Sequence, residues 1–276
     1  MLLKQLSFRN VLTSSLLVFT VICHAQDSTQ YSLRKKLVIG SNTIAYSALI
    51  IGLNNLWYKD YPTSAFHFHN DNKEWLQMDK VGHAFSCYNE GVAGIEMMKW
   101  AGYTQKQYSI IGGSYGFFIQ SSVEVLDGFS AEWGASTGDV MANAIGAGLA
   151  ISQSLGWDEQ RIRLKYSFHH SPYAAYRPNV LGRSIPERIL KDYNGQTYWL
   201  SGNINSFAPN SKWPRWINLA IGYGADGMVG GNDNTFTRQG LSYDFTSAFK
   251  RSRQFYISPD IDFTRIQTKR KGIHSL

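Results

Sequence analysis

Three stretches of this 276-residue chain carry ionisable groups at helical spacing. Asp79 and His83 stand four residues apart, Glu124 and Asp127 three, and Asp139 and Asn143 four. On a helix each separation puts the pair on one face. His83 shares its face with Cys87 and Glu90, and Glu124 shares its face with Gln120. Carboxylates with one imidazole suit Mg2+, Mn2+ or Zn2+, so a divalent metal ion held by His83, Glu124, Asp127 and Asp139 is one reading. A second is general acid–base catalysis, with Glu124 or Asp139 as the base, His83 as the acid and Lys80, Asp127 and Asn143 as ligand contacts. Crowded carboxylates cannot all stay charged without a positive partner; Lys80, a protonated His83 or the metal would supply it. The third reading is structural. Asp79 and Asp139 would then cap helices, and the remaining groups would fix helix register through buried hydrogen bonds.

All three readings need elements that bring the stretches together. Residues 37–56, 79–101, 104–127 and 136–155 read as helices, with Asp79 and Thr104 as caps and Gly102 and Gly156 as stops. The short connections make successive helices antiparallel. The start of the second, the end of the third and the start of the fourth then fall at one end of a bundle. Residues 37–56 hold no charge and follow Arg34-Lys35-Lys36, a membrane-type flank. At that length the segment is about long enough to span a bilayer. Ala142, Gly146, Gly148 and Ala150 allow close helix–helix approach.

Beyond Trp157 the period changes to two. Ile162, Leu164, Tyr166 and Phe168 alternate with Arg161, Arg163, Lys165 and Ser167, which predicts a strand with one wet face. Three more alternating runs follow: Tyr198/Leu200/Ile204, Ile217/Leu219/Ile221/Tyr223 and Phe255/Ile257/Ile261/Phe263. Between the first two runs, Ser184 and Glu187 form a capping-box pair for a short helix ended by Asn194-Gly195. A polar, mobile loop is expected at Asn232-Asp233-Asn234. The fold class is α+β: a helical bundle of about four helices over residues 35–157, then a small antiparallel strand-rich region over residues 158–276.

Three further matches are weaker. Gly112-Gly113-Ser114-Tyr115-Gly116 fits a nucleophile elbow but lacks preceding βα units, so a close-packed helix is expected. Gly222 to Gly227 fits a dinucleotide fingerprint without its helix, which reads as a turn or bulge. His67 and His69 alternate on a linker, where surface or cap roles are commoner than metal ligation.

Composition bounds the rest. Hydrophobic residues make up 43% and charged residues 17%, a globular balance with few charges and many aromatics. Lys4 and Arg9, the apolar run 11–23 and the small residues Cys23 and Ala25 predict a signal peptide over residues 1–25, cut before Gln26. Ile22 sits where a lipidated Cys23 would want a small residue. Without the signal one cysteine remains, Cys87, so no internal disulfide is available. The formal charge is +7, with much of the excess in Arg34-Lys35-Lys36 and Lys269-Arg270-Lys271. Short flanking runs without a broad basic stripe exclude a nucleic-acid surface and favour lipid head groups or solvent.

The segment from Asp79 to Gln153 resembles the YfiM-like family of bacterial envelope proteins. The residues that carry it are Asp79-Lys80-Val81-Gly82-His83, Glu124-Val125-Leu126-Asp127-Gly128-Phe129-Ser130, Ala131 to Ser136, and Gly138-Asp139-Val140-Met141-Ala142-Asn143. Asp-Lys-x-x-His alone is also similar to VanZ-like membrane proteins. The resemblance implies a predicted periplasmic lipoprotein of unknown function and assigns no catalytic residue. Together the readings give an exported protein of the cell envelope, periplasmic or membrane-associated, with a binding or scaffolding role. The alternative is a membrane-associated, metal-dependent hydrolase acting on a lipid or cell-wall precursor. Membrane or envelope components are the expected partners. A subunit of a larger assembly would show an exposed aromatic patch on the C-terminal strands.

Overall fold

The computed structural model describes residues 32–54, 58 and 62–266. The signal peptide, Cys23 and the Lys269-Arg270-Lys271 run lie outside them. Helices come first and an antiparallel sheet follows, the α+β order expected from the change of period. The main helices are α1 (Ser32–Leu53), α2 (Met78–Trp100), α3 (Tyr115–Gly128) and α4 (Thr137–Trp157). The chain divides into two compact units. One holds residues 32–71 and Ser86–Asp158; the other holds Asn72–Phe85 and residues 159–266. The first turns of α2 therefore count with the second unit and its remainder with the first.

In the first unit, α1 buries Val38, Asn42, Tyr46 and Ile50, one residue every fourth position, and so a single stripe. Tyr46 and Ile50 pack with Leu126 of α3, and the Tyr46 hydroxyl donates to Ser122 Oγ at 2.7 Å. Burying a side chain such as Ile50 contributes roughly 1.5–3 kcal/mol. The helix predicted over 104–127 is not continuous. Thr104 begins it, its N–H and hydroxyl both donating to Gln107 Oε1. Residues Tyr108–Gly112 then wind as a π-helix before α3 starts. Glycine contacts with α2 explain the break. A Cβ on Gly94 would sit 2.3 Å from the Gly112 carbonyl oxygen, and one on Gly116 would sit 2.2 Å from that of Cys87. Backbone meets backbone here, so Gly112 to Gly116 is a helix-packing surface, not an elbow.

In the second unit a four-stranded antiparallel sheet runs in the order β1 (Ile162–Phe168), β2 (Gln196–Asn203), β3 (Ile217–Asp226) and β6 (Ser252–Ile261). Register places Leu164 opposite Leu200, Leu200 opposite Ile221, and Ile221 opposite Ile257. The next row is Tyr166, Tyr198, Tyr223 and Phe255. Met78 packs with Tyr198, Ala225 and Met228, joined by Val81 and Phe85 of α2 and by Tyr166 and Tyr223. Gly222 and Gly224 lie inside β3, so that part of the glycine run is strand, while Gly227, with φ of 77°, makes a turn just after it. A hairpin of β4 (Thr235–Arg238) and β5 (Leu241–Asp244) had no strong sequence signal. Its two-residue turn, Gln239-Gly240, has positive φ at both positions, the twist a tight hairpin needs. The expected mobile loop before it is instead pinned. Asn234 is buried, donates to the Gly227 and Phe249 carbonyls, and accepts the Val229 N–H.

Candidate functional site

The ionisable residues are shared between the units, with Glu124, Asp127 and Asp139 in the first and Asp79, Lys80 and His83 in the second. In the first unit Ser136 is the hub. It is the N-cap of α4, its hydroxyl oxygen accepting the Asp139 N–H at 3.2 Å. Its own N–H donates to Glu124 Oε2 at 2.9 Å, and its hydroxyl donates to Asp71 Oδ1 at 2.6 Å. Glu124, Ser136, Asp139 and Asn143 are all buried. Asp139, expected as the cap, stands instead in the first turn of α4, where the exposed N–H groups of a helix favour a negative charge. The final turn of α3 carries Asp127, which accepts the Tyr58 hydroxyl at 2.7 Å. Burial, then the Asp127 charge and hydrogen bond, then the Glu124 charge, push the Tyr58 phenol far above its ordinary range. Tyr58 is thus a permanent donor to Asp127. The Cys87 thiol donates to the Asn143 carbonyl oxygen at 2.9 Å. Burial and the nearby Glu90 push that thiol up to about 12, so it is not a ready nucleophile.

The second group sits at the start of α2. Asp79, expected as the N-cap, lies just inside the helix, because α2 begins at Met78. Its Oδ1 accepts the Tyr193 hydroxyl at 2.6 Å. Lys80 Nζ approaches Oδ2 at 3.2 Å, and His83 Nε2 stands 3.8 Å from Oδ1, an ion-pair distance and not a hydrogen bond. These side chains are partly exposed. Gly82 leaves room beside them for the Tyr198 hydroxyl, which a Cβ would meet at 2.9 Å. That phenol is pushed above its ordinary range by burial, then by Tyr166 and Asp79, so it stays protonated and donates to Gln196 Oε1.

The turn leading into this group is strained. Trp75, Leu76 and Gln77 have φ of 47°, 53° and 66°. L-residues there cost roughly 1–2 kcal/mol each. Neighbours hold them in place: the Trp75 N–H donates to the Gly231 carbonyl at 2.7 Å, the Tyr223 hydroxyl donates to the Leu76 carbonyl, and Gln77 Nε2 donates to the Asn72 carbonyl at 2.9 Å.

Of the residues singled out by spacing, the Glu124 carboxylate and the Asp139 backbone N–H both bond Ser136, Asp127 accepts the Tyr58 hydroxyl, and the Asn143 backbone carbonyl accepts the Cys87 thiol. Lys80 and His83 meet Asp79. His67 is held by local bonds, Nε2 to the Trp133 carbonyl at 2.8 Å and Nδ1 to Ser64 Oγ at 3.2 Å. Spacing missed Tyr58 and Tyr193. Ser136 could have been found, since Ser-x-x-Asp before an apolar run is a capping signal.

A family described as Predicted periplasmic lipoprotein (DUF2279) matches residues 67–154. That is about a third of the chain, and it contains every motif from Asp79 to Asn143 together with the strained turn. No curated protein and no solved structure matches the chain. The match supports an uncharacterised family of envelope proteins and places the protein among exported components of the cell envelope.

Proposed function

We propose that this protein is a membrane-associated binding or scaffolding protein of the cell envelope, held at the bilayer by α1. One observation carries the reading. α1 has two uncharged faces, the buried stripe Val38–Asn42–Tyr46–Ile50 and an exposed apolar one of Leu33, Leu37, Ile44 and Ile51, with no charge between Leu37 and Leu53. By length and composition it can cross a membrane. The head of the helix supports this. Arg34 lies 5.1 Å over the Trp100 ring and Lys35 4.8 Å over the Tyr103 ring, a pairing of bases and aromatics that suits a membrane–water interface. The test is alkaline carbonate extraction of membranes from cells making the chain. The protein should stay in the pellet, and Ile44→Lys with Ile51→Lys should move it to the supernatant. A wild-type chain that extracts fully would refute the reading.

A metal-dependent hydrolase is the second reading. The Asp79–His83 pair favours it, because a carboxylate beside an imidazole orients the ring for proton transfer or metal ligation. Isothermal titration with Mn2+ and Zn2+, beside His83→Ala, separates the two. Binding that His83→Ala abolishes favours the hydrolase, and its absence favours the scaffold.

A further inference from the structure

Beyond the Tyr166–Tyr198–Tyr223 row, whose apolar side packs against Met78, Val81 and Phe85, the four-stranded sheet is patterned inside out. Along β3 the polar-side positions Asn218, Ala220, Gly222 and Gly224 are all buried; on the apolar side Ala225 is buried in the core, whereas Leu219 and Ile221 are 52% and 54% exposed. Ser201 and Asn203 of β2 are buried on the same side as Asn218, and the three bond to one another. Lys165 and Asp260 close a salt bridge at 2.6 Å on that side as well. The opposite face is aliphatic and aromatic. Its exposure rises across the sheet from Leu200 at 38% to Phe255 at 76% and Ile257 at 79%. A sheet standing in water buries the apolar side and wets the polar one. Apolar-out, polar-in alternation is the pattern of strands that face lipid.

We infer that this apolar sheet face docks on the surface of an anionic phospholipid bilayer. Charge decides between this occupant and a second copy of the chain. Residues 159–276 hold 17 Lys and Arg against 8 Asp and Glu, while residues 1–158 hold 10 against 12. All of the chain's positive excess therefore accompanies the sheet. Two such regions would repel face to face, and an anionic leaflet attracts each. Arg253 stands on the apolar face itself, two residues from Phe255 on β6. At the other end, beside the Ile217–Ile261 pair, Trp216 receives the Asp262 N–H on its carbonyl at 2.9 Å. The Trp216 ring and that of nearby Trp213 are exposed, the amphipathic rings that settle at head-group depth. The surface lies in the second unit and does not depend on α1.

The test is photocrosslinking of the full chain with Phe255→p-benzoylphenylalanine, an exposed aromatic exchanged for an aromatic. The chain is mixed with vesicles of phosphatidylglycerol and phosphatidylethanolamine, or of phosphatidylcholine alone, and irradiated. A lipid adduct about tenfold more abundant on the anionic vesicles is expected, since each basic residue at such a surface adds measurably to binding. Ile221→Glu with Ile257→Glu should remove most of it while flotation through α1 stays unchanged. Equal adducts on both vesicles, a protein adduct of doubled mass, or no adduct would each overturn the inference; the doubled mass would assign the face to a second copy. Failure to float on phosphatidylcholine counts against the α1 anchor alone.

Discussion

Glu124 accepts the backbone N–H of Ser136 at 2.9 Å, and Ser136 caps α4. The last turn of α3 thus fixes the first turn of α4. The buried carboxylate satisfies a buried N–H that has no partner within its own helix. Glu124→Gln keeps an acceptor but loses the charge, and should destabilise the chain by about 1 kcal/mol. Glu124→Ala leaves the Ser136 N–H buried without this acceptor and should cost about 2–3 kcal/mol. Thermal unfolding followed by circular dichroism reads both. A Glu124→Gln variant more stable than the parent would mean that the carboxylate is kept for ligand chemistry.

Gly116 lies against the Cys87 carbonyl so closely that a methyl group would stand 2.2 Å from its oxygen. Gly116→Ala must push α2 and α3 apart and should destabilise by about 3 kcal/mol. Gly148→Ala meets nothing within 4 Å on α4 and should be neutral or stabilising by roughly 0.5–1 kcal/mol. The two melting temperatures, measured side by side, check whether backbone approach or glycine content matters.

Much of this was legible in advance, and the particular failures are instructive. Alternation from Ile162 to Phe168 gave β1 at its observed bounds, because each apolar residue lies on one face of the sheet. The alternation predicts strand at Ile204, which instead starts a short helix, since Asn203 accepts the Ser206 N–H and caps it. The β4–β5 hairpin escaped notice because its turn is Gln239-Gly240 and not Asn-Gly. At the site, spacing found Asp79 with His83 and Glu124 near Asp139. It could not find Tyr193, whose hydroxyl reaches Asp79 across 114 positions. Nor could it show Trp75 to Gln77 in a left-handed conformation, which no residue there favours alone and which tertiary bonds impose.

Cys87 should resist modification. Burial and then Glu90 raise its thiol from 9.0 to about 12. At pH 8 it should react with iodoacetamide on the order of 1,000-fold more slowly than an exposed thiol. The unfolded thiol ionises first as pH rises, so this group's contribution to stability is intact below pH 9 and is lost as pH climbs toward 12. Mass spectrometry of labelled Cys87 in folded and urea-unfolded chain measures the ratio. Rapid labelling of the folded chain would contradict the packing described.

Acid should weaken the sheet end that holds Asp262. Burial raises this carboxyl, but the Thr264 hydrogen bonds and the charges of Arg163 and Arg265 outweigh it, so it stays below its ordinary value. A carboxyl depressed in this way stabilises above its unfolded pKa, and the contribution is lost as pH falls through the folded one. Asp262→Asn should cost about 1–3 kcal/mol at pH 7 and flatten the fall in melting temperature below about pH 4. A parallel acid limb in both proteins would show that Asp262 does not carry it.

The central claim is that the exposed face of α1 lies in lipid. A spin label at Ile44→Cys, in a chain also carrying Cys23→Ser so that only buried Cys87 competes, reads this directly by electron paramagnetic resonance. In vesicles the label should be relaxed by oxygen, which dissolves in the bilayer, and shielded from a water-soluble nickel complex. A label equally open to nickel with and without vesicles would place α1 in water and contradict the claim.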